Sequence, residues 1–100
     1  MKNILKPTKE NLSRIEELFA TLGYFIRYEK GNFKSGYCIL NTKDIIVVNK
    51  YFTTEGRFEC LIDILKTLSP RLRAKIDALG NEQERQLFDQ VLAHVANPQT

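Results

Sequence analysis

The sequence predicts an α+β fold: one amino-terminal helix, a three-stranded antiparallel meander, then three carboxy-terminal helices. Three observations carry that expectation. Apolar residues recur at three and four positions before residue 23 and again after residue 54. Between them lie short alternating or β-branched runs broken by turn-forming residues. The chain is 100 residues long, which makes a single domain over 1–100 with one modest core.

Residues 8–22 read as the first helix. Thr8 follows Pro7 and suits the cap, and Gly23 sits where a left-handed residue ends a helix. Leu12, Ile15, Leu18, Phe19 and Leu22 form its apolar face. Residues 24–30 alternate, with Tyr24, Ile26 and Tyr28 on one side and Arg27 and Glu29 on the other. Gly31-Asn32 suggests a tight turn, and Phe33 to Leu40 a returning strand that Gly36 interrupts. Asn41 to Asp44 make the next break, and Ile45 to Asn49 the third strand. Short connections imply antiparallel neighbours throughout.

The strands are apolar on both faces: Cys38 and Leu40 oppose Tyr37 and Ile39, and Ile46 and Val48 oppose Ile45 and Val47. Either helices cover both faces or a partner covers one. Residues 55–68 read as a central helix with Thr54 as its cap and Phe58, Leu61, Ile62, Leu65 and Leu68 facing the core. Ser69-Pro70 reads as a stop followed by a new cap and first turn, giving a short helix to Leu79, with Gly80 ending it. Asn81 to Glu84 resemble a capping box for a last helix to about Ala96, with Leu87, Phe88, Val91, Leu92 and Val95 inward.

Composition narrows the function. The apolar fraction of 43% suits a folded chain. Net charge is +3, with +4 on residues 1–54 and −1 on residues 55–100. That is a mild bias, far from a dense basic stripe. The start, Met1 to Pro7, has no apolar stretch of a signal peptide, and no run approaches a membrane span. A cytoplasmic protein is expected, with Cys38 and Cys60 as free, buried, small apolar residues.

Chemistry-bearing patterns are sparse. His94 is the single histidine, at the edge of the last helix's apolar face. Glu59 and Asp63 share a polar strip with Lys66, which can pair with Asp63. No glycine-rich phosphate loop, nucleophile elbow or metal-ligand cluster is present, so no catalytic residue, metal or cofactor is expected. Arg71, Arg73 and Lys75 form a candidate basic patch that could meet phosphates, with strand aromatics to stack bases. The favoured reading is a non-catalytic interaction or scaffold domain, a homodimer or the partner of another protein. Tyr24, Tyr28, Phe33 and Tyr37 are its candidate contacts. Nucleic-acid binding through the basic, aromatic half is the alternative.

One stretch carries a family likeness. Ile46-Val47-Val48-Asn49, a short connection, then Arg57-Phe58 opening an apolar helix, resembles the core of ImmA/IrrE-type zinc metallopeptidases over about residues 12–66. The resemblance places Ile62-Asp63-Ile64-Leu65-Lys66 in the HExxH slot. Ile62 and Lys66 replace the ligand histidines, and Asp63 the general-base glutamate. An apolar chain and an ammonium cannot hold zinc. The resemblance therefore implies a metal-free relative kept for its scaffold. The chain as a whole also resembles small bacterial proteins of similar length.

Overall fold

The computed structural model describes residues 5–31, 35–40 and 42–94. Three helices and three strands follow in the order α1 (Lys9–Thr21), β1 (Tyr24–Glu29), β2 (Gly36–Leu40), β3 (Lys43–Asn49), α2 (Thr54–Leu79) and α3 (Glu82–Ala93). The class is α+β, as expected.

The sheet is mixed, not an antiparallel meander. Its order is β1-β3-β2, with β1 parallel to β3 and β2 antiparallel to it. The physical reason lies in β3. Ile45, Ile46, Val47 and Val48 are apolar on both faces, and such a strand gains most from neighbours on both edges. So β1 passes over the hairpin position to flank it, and the predicted Gly31-Asn32 turn does not join paired strands; Asn32 lies outside the described residues. The β2–β3 hairpin does form, with Leu40 opposite Lys43. The break is narrower than expected, because Lys43 and Asp44 belong to β3, and Thr42 takes the positive φ of a tight hairpin turn (63°).

Register divides the sheet into two faces. Tyr24, Ile26 and Tyr28 lie beside Asp44, Ile46 and Val48, and Tyr37 pairs with Ile46. This face meets the helices: Tyr24, Ile46 and Val48 share one core cluster with Ile15, Leu18 and Phe19 of α1, Phe58, Leu61 and Leu65 of α2, and Phe88 of α3. The other face carries Phe25, Arg27, Glu29, Ile45, Val47 and Cys38. None of these joins that cluster; Phe25, Arg27 and Cys38 are exposed, whereas Ile45 is buried at 6% exposure and Glu29 and Val47 are half-buried.

α2 organises the helices. The expected break at Ser69-Pro70 is absent, so the first two of the three helices predicted after the sheet are one, and two helices follow the sheet among the described residues. Pro70 removes the N–H that would bond the Lys66 carbonyl. The Ser69 hydroxyl donates to that carbonyl instead, at 2.9 Å, and the helix continues. Its cap is Thr53, not Thr54: the Thr53 hydroxyl accepts from the Gly56 N–H. Gly80 ends it with φ 64°, as expected.

α2 also serves its neighbours' ends. Neither α1 nor α3 has a basic residue in its last turn. Lys75 donates to the Leu22 carbonyl at the end of α1, and Lys66 to the His94 carbonyl at the end of α3. Each ammonium meets the negative end of a helix. Lys66 therefore does not serve Asp63, which is exposed. α3 is capped by Asn81, which accepts from the Glu84 N–H, and it stops at Ala93, short of the predicted Ala96.

Candidate interaction surface

The outer sheet face presents one exposed aromatic ring among charged side chains. Phe25 is 55% exposed at its β1 side and carries the Lys43 ammonium over its ring, 5.4 Å from the centroid. Ile45 lies between Phe25 and Cys38 on the neighbouring strands, and Val47 between Arg27 and Gly36. Arg27 and Glu29 form an exposed ion pair at 3.2 Å. The exposed apolar part of this face is thus the Phe25 ring, with Ile45 buried and Val47 half-buried beside it. Beside it, a groove of about 310 Å³ runs between α1 and β1, lined by Glu16, Ala20, Tyr24, Phe25, Ile26 and Tyr28.

The tyrosines expected to make contacts lie on the helix-facing side. Tyr24 is 4% exposed and packs edge-on against Phe19 and beside Tyr37. Tyr28 and Tyr37 are half-buried. Phe33 lies outside the described residues. Alternation along β1 could have found Phe25 instead, because it is the apolar member of the Arg27–Glu29 face.

The basic cluster divides in two. Arg71 and Lys75 turn toward the sheet, over the rings of Tyr37 and Tyr24. Arg71 donates to the Tyr37 hydroxyl, which donates to Asp44 at 2.6 Å. Arg73 leaves by another face, over Phe88 and onto Asp89.

Polar groups around α2 are knit into the fold. His94 is buried at 5% exposure, with Nε2 3.2 Å from a Glu59 carboxylate oxygen and Nδ1 without a partner among the described residues. A shallow cleft lined by Ser35, Phe52, Glu59, Cys60, Asp63 and Ile64 lies alongside. Burial pushes the Cys60 thiol up, against a smaller opposing effect of Ser35, which disfavours the thiolate a nucleophile needs. Contrary to expectation, Cys60 is only half-buried and Cys38 is exposed. In the HExxH slot, Ile62 is core and Lys66 holds the end of α3. Among the described residues no group of three or more His, Cys, Asp or Glu is placed to hold a metal ion, and no helix is long and apolar enough to cross a membrane.

Tyr28 gives a pH signature. Its hydroxyl donates to the Glu16 carboxylate, and the Arg57 guanidinium lies over its ring. Burial first, then the Glu16 bond and charge, push its phenol well above the ordinary 10.0. The fold therefore holds a proton that the unfolded chain releases, and stability falls as pH rises past 10.0. Tyr28→Phe should flatten that fall and cost about 0.5–1.5 kcal/mol at neutral pH. Urea midpoints on both sides of that pH check it.

Comparison with known protein families, with curated proteins and with solved structures finds no match for the chain. The functional reading therefore rests on this geometry.

Proposed function

We propose that this chain is a non-catalytic protein-interaction domain that works as a cytoplasmic homodimer, with the sheet layer as its contact surface. The observation that carries this is β1 at the edge of the sheet, where Phe25 stands 55% exposed beside a buried Ile45 and a half-buried Val47, and where no described strand pairs with the outer side. A three-stranded sheet with an unpaired edge beside an exposed aromatic ring gains from further strands.

Two features favour this over nucleic-acid binding. Arg71 and Lys75 are committed to Tyr37 and Tyr24, and Arg73 to Asp89. Of the described rings that would stack bases, Tyr24 is buried and Tyr28 and Tyr37 are half-buried on the helix-facing side. Kinship with zinc metallopeptidases, in this reading, is kinship of scaffold: Ile62 and Lys66 serve packing and helix capping.

Light scattering at micromolar concentration should report twice the chain mass of 11.6 kDa. A monomer there would sink the proposal. Binding of DNA or RNA that weakens steeply with salt would favour the alternative.

A further inference from the structure

We infer that the outer edge of β1 pairs antiparallel with β1 of a second copy, about a two-fold axis through Ile26, to make one continuous six-stranded sheet. The inference rests on the self-association proposed above and names the seam.

Area argues for an edge. A face three strands wide and five residues long projects to only about 240 Å² at ~4.8 Å between strands and ~3.3 Å per residue. A stable interface uses about 800 Å² from each partner. Edge pairing adds a ladder of main-chain hydrogen bonds and brings the flanking helices together. Among the described residues, β1 pairs with β3 on one side and with no strand on the other. That open edge borders the groove between α1 and β1, where Ile26 is half-buried despite facing the helices. Ala20, small and exposed on α1, lets a second α1 approach.

Charge and overlap then fix the register. A two-fold axis normal to the sheet keeps both sets of helices on one side, and it sets one residue opposite its own counterpart. Centring on Phe25 pairs only residues 24–26, and centring on Tyr28 only residues 27–29. Centring on Ile26 or Arg27 overlaps most of the strand, 24–28 or 25–29. Arg27 opposite Arg27 sets like charges face to face, which destabilises a strand pair. Ile26 opposite Ile26 instead sets Phe25 of each copy against Arg27 of the other, a guanidinium beside an aromatic ring. It also pairs Tyr24 with Tyr28 of the second copy on the helix-facing side. The β1 sequence is thus self-complementary about Ile26.

The test uses a chain with Cys38→Ser and Cys60→Ser, to which Ile26→Cys or Arg27→Cys is added. Directly opposed residues have Cα atoms about 4.5–5.5 Å apart, within disulfide range. With the axis at Ile26, the two Arg27 Cα atoms are about 8 Å apart, beyond it. Mild oxidation should therefore cross-link Ile26→Cys into a covalent dimer and leave Arg27→Cys monomeric on a denaturing gel. Phe25→Lys should weaken association about tenfold, whereas Phe25→Glu, facing Arg27 of the second copy, should preserve it. Cross-linking of Arg27→Cys alone would overturn the register. Neither variant cross-linking, or equal weakening by Lys and Glu at position 25, in a chain that light scattering shows to be dimeric, would overturn the β1 edge and leave the broader proposal standing. A monomer in light scattering would remove both.

Discussion

Phe58→Ala is expected to lower stability by about 3–5 kcal/mol, read from the urea midpoint with an unchanged slope. The ring has no exposed surface and sits where α2 meets the sheet and α3. It also stands edge-on to the His94 imidazole, with centroids 5.6 Å apart. Truncation thus leaves a cavity and removes a wall of a buried polar ring whose Nδ1 has no partner among the described residues. The fold as a whole is worth about 5–15 kcal/mol, so this one change consumes a large share. Phe25→Ala is the natural control. The same ring type, 55% exposed on the other face, should move monomer stability by no more than about 0.5 kcal/mol. Near-equal losses at Phe25 and Phe58 would contradict the one-sided core.

What was legible in the sequence was local. The Thr8 cap, Gly23, Gly80 and the Asn81–Glu84 cap each depend on residues within a turn of one another, and each is where the residue types place it. The apolar face of α2 followed from helical spacing alone. Strand partners are set by contacts far along the chain, and there the shortest loop misled. The cue was available: a strand with β-branched residues on both faces, as in Ile45 to Val48, belongs at the centre of a sheet. Residue type alone points to the tyrosines as contacts, whereas alternation with Arg27 and Glu29 sets Tyr24 and Tyr28 beside Ile26 on the inner face. Other links left no local trace. Lys75 reaches Leu22, Lys66 reaches the His94 carbonyl, and Glu59 meets the His94 ring. Only a packed α2 brings these together, so Lys75 and Lys66 become capping groups and Glu59 the half-buried partner of His94.

Pro70→Ala should stabilise the protein, by about 1–2 kcal/mol. Proline inside a helix costs about 3 kcal/mol relative to alanine, and Pro70 lies well within Thr54–Leu79. Its ring is exposed, so its loss removes little packing. Alanine supplies the N–H that the Lys66 carbonyl lacks from the main chain. Two effects reduce the gain. The Ser69 hydroxyl already satisfies that carbonyl at 2.9 Å, and proline restricts the unfolded chain, worth about 0.4–1 kcal/mol. The same geometry couples neighbours. Ser69→Ala should cost about 1 kcal/mol in the parent and distinctly less beside Pro70→Ala, a non-additivity of about 0.5 kcal/mol or more in a double-mutant cycle. Two helices meeting at Ser69 would behave oppositely. Pro70 would then occupy a first-turn position where proline is well tolerated, and Ser69 would be a cap, costly to lose whatever follows it. A neutral or destabilising Pro70→Ala, with Ser69→Ala additive to it, would mean that α2 breaks there in solution.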